Sequence, residues 1–141
     1  MKARLYRSTF RQGFTIKKIF LFFGMALMLM SFVQPAGNDD IVNAFKSADA
    51  GKIGTYFDEL IDMKLPQKDE LKNVGRNQAT ISLKGFLSEN GIKGFEKLSE
   101  RELGTTMYFT GKFTNDGKGF NVTVMTRQKD GKDVIITLRI N

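Results

Sequence analysis

Three alternating runs near the end of the sequence constrain its fold more than any other feature. Met107, Phe109, Gly111 and Phe113 take every second position between Thr106 and Thr114. After Asn115-Asp116-Gly117-Lys118-Gly119, Phe120, Val122, Val124 and Thr126 do the same, and after Lys129-Asp130-Gly131 so do Val134, Ile136, Leu138 and Ile140. A period of two places each set on one face of a strand, and Gly-, Asn- and Asp-rich turns between such runs join neighbouring strands as hairpins. These runs predict an antiparallel meander with one apolar face that something else must cover.

The cover is read further upstream. Asn38 is an N-cap candidate, followed by Asp39 and Asp40 where a first helical turn favours acidic side chains. Ile41, Ala44, Phe45 and Ala48 then fall at helical spacing. Asp49 is placed to cap a short second helix over residues 50–57, with Ile53, Tyr56 and Phe57 as its apolar stripe. Gly51 and Gly54 weaken that helix by about 1 kcal/mol each relative to Ala, so it forms by docking rather than on its own. Glu59 to Leu65 alternates and ends at Pro66, which predicts a short strand; residues 68–75 are polar and read as irregular. Ala79, Leu83, Phe86 and Leu87 predict a third helix over residues 76–90, ended by Gly91, with Gly85 marking a close approach of backbones. Residues 95–103 are heavily charged and weakly alternating, as in a strand near a sheet edge. The expected class is α+β in the order ααβαββββ, with three helices packed on an antiparallel sheet.

Charge divides the chain. The formal net charge is +7, yet Lys2, Arg4, Arg7, Arg11, Lys17 and Lys18 all precede residue 19, and from residue 38 onward 16 basic residues face 15 acidic ones. Nucleic-acid binding needs a concentrated basic excess, so it is not expected of the part after residue 37. Behind Lys17-Lys18 run fifteen uncharged residues, Ile19 to Val33, and then Gln34-Pro35-Ala36-Gly37. A basic stretch, an apolar core and a small, turn-prone segment form the layout of a secretory signal. At helical rise the run spans about 22 Å, short of a bilayer core of about 30 Å. Residues 1–37 are therefore expected to be an export signal, or a retained inner-membrane anchor if left uncleaved, and residues 38–141 one periplasmic or extracellular domain. The sequence holds no cysteine, so that domain must be held by its core alone.

Histidine is absent too. That removes Ser-His and Cys-His nucleophile systems, an imidazole base, and thiolate or imidazole zinc sites; no metal or cofactor is expected. Gly117-Lys118-Gly119 lies between strands and opens no helix, so it is a turn rather than a phosphate loop. An isomerase-type reaction needs only a carboxylate base and a hydroxyl donor to an enolate oxygen, for which Asp58 or Asp62 and Tyr56 or Tyr108 are the candidates. Alternation that turns Ile61, Met63 and Leu65 inward turns Asp62 outward, and Tyr108 is out of phase with Met107 and Phe109. Surface or core roles are therefore expected for all four.

The segments Asp40-Ile41-Val42-x-Ala44-Phe45-Lys46-Ser47, Asp49, Tyr56-Phe57-Asp58, Leu65-Pro66 and Leu138-Arg139-Ile140-Asn141 resemble a family of small exported proteins, mostly from Bacteroidetes, known as domain of unknown function 4783. With the element order, they are similar to the cone-shaped fold of nuclear transport factor two, ketosteroid isomerase and the polyketide cyclases, also described as cystatin-like. The resemblance covers residues 38–141. It implies a strongly curved sheet wrapped on the helices around a conical cavity, which relatives use for small hydrophobic ligands, for catalysis or as a dimer platform. None of the matching residues is a catalytic signature, and a fold shared by enzymes and non-enzymes does not choose between them.

The leading expectation is a non-catalytic binding or interaction module, its apolar cavity lined by Phe45, Tyr56, Phe57, Phe86 and Phe109, for an apolar small molecule or a protein partner. The alternatives are a carboxylate-dependent isomerase or cyclase, and a structural homodimer.

Overall fold

The computed structural model describes residues 38–141; residues 1–37, expected to be an export signal, lie outside the described residues. Two short helices open the domain, α1 (Asp39–Lys46) and α2 (Ala50–Gly54). Ile41, Val42, Ala44 and Phe45 form the buried face of α1, with Asp39 and Asp40 in its first turn. Asn38 does not cap α1 with its side chain. That amide turns inward instead, donating to Met107 Sδ and accepting, through Oδ1, from Thr126 Oγ1 at 3.4 Å. Asp49 caps α2 as its position predicts, its Oδ1 accepting from the Gly51 and Lys52 amides at 2.8 and 3.2 Å.

The second helix stops at Gly54, three residues short of expectation. Tyr56 lies in the turn that follows, and Phe57 begins strand β1 (Phe57–Lys64). Gly54 is the point of close approach between helices: a Cβ there would sit 2.3 Å from Thr80 Oγ1 on α3 (Arg76–Glu89). Gly85, expected in that role, has nothing within 4 Å of where its Cβ would be. Ala79, Leu83, Phe86 and Leu87 are the buried residues of α3, as read from their spacing. Gly91 follows with φ +58, the left-handed conformation that glycine takes without steric cost.

Residues 71–75, expected to be irregular, form strand β2 (Leu71–Gly75), antiparallel to β1, so the order is ααββαββββ. Its side chains are nearly all exposed, so no apolar alternation announces it. The pairing is reinforced by Asp62 Oδ1, which accepts from the Asn73 amide at 3.0 Å. The remaining strands, β3 (Gly94–Leu103), β4 (Thr106–Thr114), β5 (Phe120–Lys129) and β6 (Lys132–Ile140), run as an antiparallel meander. Asp130 (φ 52) and Gly131 (φ 74) both lie in the left-handed region, as a tight two-residue hairpin between paired Lys129 and Lys132 requires.

The sheet order is β2-β1-β6-β5-β4-β3. An all-antiparallel sheet does not result, because β1 and β6 pair in parallel through Asp62↔Thr137, Met63↔Leu138 and Lys64↔Arg139. β3 is an edge strand, as its charge suggested. One departure reverses side chains: Met125 pairs with Thr137 but Thr126 with Ile135, leaving Ile136 as an extra residue in β6. Such a bulge shifts the alternation. Ile135, Leu138 and Ile140 are buried, while Val134 and Ile136, expected inside, are only half-buried.

The helices and the inward faces of β1 and β3–β6 share one apolar core. At its centre Phe45 meets Phe95, Phe109 and Phe113 at ring-centroid distances of 5.2, 5.6 and 5.7 Å. Gly111 makes room for Phe95: a Cβ would fall 2.1 Å from the ring Cζ and 2.5 Å from the Glu96 carbonyl oxygen.

Because part of that obstruction is backbone, Gly111→Ala must open the β3–β4 pairing or eject the ring, and it should lower unfolding free energy by about 2–3 kcal/mol in a denaturant titration. Asp49→Ala removes the two cap bonds of α2 and should cost about 1 kcal/mol by the same measurement.

Candidate binding groove on the open sheet face

Strands that turn Phe109, Val124, Leu138 and Met63 toward the helices turn the alternate residues to the other face. In register across four neighbouring strands lie Tyr108, Met125, Thr137 and Asp62. Beside them on β5 are Thr123 and Arg127, two residues from Met125 in either direction, and the β6 bulge adds Ile136. This face carries a groove of about 740 Å³. Tyr108, Met125, Ile136 and Leu60 supply its apolar lining, Leu60 being 55% exposed. Charged side chains of β1, β2, β5 and β6, with Asn73, Thr123 and Thr137, supply the rest.

Two ion-pair clusters shape it. In the first, the Asp58 carboxylate, 8% exposed, accepts from Lys129 Nζ at 2.9 Å and from Arg127 Nη2 at 2.8 Å, and from the Glu59 amide at 2.8 Å. In the second, Lys72 Nζ donates to Asp62 at 3.1 Å and to Glu70 at 3.2 Å, and Arg139 donates to Glu70 at 2.7 Å. The Lys129 hydrogen bond holds the Asp58 carboxyl below its usual range, against the opposing effect of burial, with the Glu59 amide and Arg127 adding to it. The Asn73 amide, then Lys72, do the same for Asp62. Lys129 is pushed up in turn by Asp58.

The structure brings three of the four isomerase candidates, Asp58, Asp62 and Tyr108, to this groove, with both carboxylates held in ion pairs. Tyr108 and Asp62 sit in one cross-strand row with β5 and β6 between them, which separates their backbones by about 14 Å at the usual strand spacing. Both carboxylates are also less basic than usual, the opposite of what a general base near neutral pH needs. Tyr56 is half-buried on the helix side, where its carbonyl accepts from the Ile135 amide at 2.7 Å.

Of the five residues expected to line a cavity, Phe45, Phe57 and Phe109 have no exposed surface and Phe86 is 7% exposed. Tyr56 packs against the same core. All five therefore lie on the helix side of the sheet. A smaller concavity of about 360 Å³, bounded by Lys64, Pro66, Lys118 and Phe120, is lined by none of them either. Among the described residues no group of three or more Asp or Glu side chains is placed to hold a metal ion, and no helix is long and apolar enough to cross a membrane.

Sequence reasoning passed over Arg127, Lys129, Met125 and Ile136. Three of these were readable: alternation that puts Val122, Val124 and Thr126 inside puts Met125, Arg127 and Lys129 together near the other face. Ile136 was not, because nothing in its neighbours marks the bulge.

A carboxyl whose pKa is lowered by folding adds stability above its unfolded pKa, near 3.9, and loses it as pH falls through the lower folded value. Asp58→Asn should therefore destabilise the protein by about 1–2 kcal/mol at pH 7. The gap to the wild type should close as pH falls below about 4, as unfolding titrations at pH 7, 4 and 2.5 would read.

Comparison with known proteins places these features. The family model for the domain of unknown function DUF4783 matches residues 38–141. The crystal structure of a DUF4783 family protein from Bacteroides ovatus is 19% identical, with a TM-score of 0.67 over 72% of this chain and 91% of that one. An uncharacterized cystatin fold protein from Novosphingobium aromaticivorans gives 14% identity and a TM-score of 0.53, covering 72% and 92%. A protein designated Rd1NTF2_04 with long sheet gives 16% and 0.55, covering 73% and 94%. A comparison with curated proteins finds no match. At these identities the structures speak to the fold alone, and the family model, which takes in every described residue, decides the rest: the chain belongs to the DUF4783 family and has its α+β, cystatin-like and NTF2-like fold.

Proposed function

We propose that this protein is an exported, non-catalytic binding module that takes its ligand in the groove on the open face of the sheet. Export rests on the basic and apolar leader of residues 1–37. The binding role rests on the groove, whose volume of about 740 Å³ falls within the range of small-molecule sites, and whose lining sets an apolar strip of Leu60, Tyr108, Met125 and Ile136 among charged side chains. On this reading the phenylalanines of the helix side make a rigid scaffold, and the sheet, curved over the helices by its bulges, presents its outer face. Asp58 and Asp62 both have lowered pKa values, not the raised one that acid–base work calls for.

Native mass spectrometry of the protein purified from its own host should detect a bound small molecule. Met125→Gln, which keeps the side-chain length but removes apolar surface, should weaken its retention about tenfold while circular dichroism stays unchanged. Equal retention by the variant, or wild-type protein that emerges ligand-free as a dimer closed through this face, would overturn the reading.

A further inference from the structure

The first ion-pair cluster is unequal in hydrogen-bonding capacity. Arg127 carries five N–H donors and Lys129 three; among the described residues each spends one on Asp58. Asp58 is close to saturated, because its Oδ1 accepts from both Lys129 and the Glu59 amide and its Oδ2 from Arg127. The exposures agree: the Arg127 and Lys129 side chains are 50% and 41% exposed, the Asp58 side chain 8%. The cluster thus offers unspent cationic donors over an acid that has little left to give. At the other end of the groove Lys72 and Arg139 face Asp62 and Glu70, two cations against two anions, with Lys72 already donating twice.

The apolar surface begins where these donors end. Met125 is two residues from Arg127 on the same face of β5, about 7 Å along the strand. Tyr108 lies directly opposite Met125 on β4, and Ile136 bulges from β6 on the other side.

Resting on the groove as the binding surface, we propose that its ligand is a single amphipathic anion, with an acidic head on Arg127 and Lys129 and an apolar body along Met125, Tyr108 and Ile136. Oxygen anions are the acceptors that match unspent guanidinium and ammonium donors. The source is a free, one-chain amphiphile rather than a bilayer surface, because Met125, Tyr108 and Ile136, each half-buried, line a depression instead of projecting from the face. Glu59 also lines the groove; it opposes an anion and limits affinity.

The test uses the full chain with labelled Met and Ile methyl groups, read by NMR at Met125 and Ile136 so that binding elsewhere does not count. Dodecanoate, added below its micelle concentration, should shift both methyls, and dodecyltrimethylammonium should not. Arg127→Gln with Lys129→Gln should weaken dodecanoate binding about tenfold, and Glu59→Gln should tighten it about twofold. If the double variant fails to fold because Asp58 is left unpaired, adding Asp58→Asn restores neutrality and the same loss is expected. Equal shifts with both amphiphiles overturn the anion preference while the groove stands. Silence of both methyls with both amphiphiles overturns the groove reading as well. Pelleting with phosphatidylglycerol vesicles, without response to free dodecanoate, overturns the choice of a free ligand.

Discussion

The Phe45 ring is the contact on which the rest of this domain depends. It is the deepest side chain of α1, with no exposed surface, and it meets one face or edge of Phe95, Phe109 and Phe113, from two neighbouring strands. Each aromatic pair adds about 0.5–1.5 kcal/mol beyond the burial of its area. In a chain without a disulfide, this cluster fixes an eight-residue helix that has too few turns to persist alone. The Gly111 gap is part of the same contact, since it leaves the space that the Phe95 ring occupies against β4.

Filling the helix side has a counterpart on the other face. A sheet with one covered face must keep the opposite one soluble, and here that is done with ion pairs laid across strands instead of scattered single charges. Asp58 joins β1 to β5 through Arg127 and Lys129, and Glu70 links the stretch before β2 to β6 through Arg139. These pairs are mostly half-exposed, so their share in stability is modest; their larger effect is to fix the direction of long side chains around an apolar strip. The bulge in β6 then adds Ile136 to this apolar strip, beside Thr137, where regular alternation would have hidden it.

Much of this was legible beforehand. The meander, the covered face of α3 and the cap at Asp49 follow from spacing and turn chemistry, because each depends on residues close in sequence. The misses share a physical cause, which is that tertiary contacts decided them. β2 has no apolar face of its own and exists through pairing with β1 and the Asp62 side chain. Helix α2 ends early because Gly54 is used for packing on Thr80. Asn38 gives up its capping role because Thr126 and Met107 lie beside it. The parallel β1–β6 pair is invisible to any local pattern. In the candidate groove, Asp58, Asp62 and Tyr108 were singled out as ionisable or hydroxyl groups, while Arg127 and Lys129 passed as ordinary surface charge until the fold set them on one carboxylate.

The parallel pairing of β1 with β6 also bears on how the chain reaches this state. Phe57 finds its partner at Ile135, so the strand made first waits for the strand made last, holding only the short β2 hairpin in the meantime. Closing so large a loop before the contact repays it slows a folding reaction. Until β6 arrives, the inner edge of β1, with Ile61 and Met63, has no neighbour on that side. The sheet is continuous only once β6 is paired with both β1 and β5, so its closure depends on the last strand of the sequence.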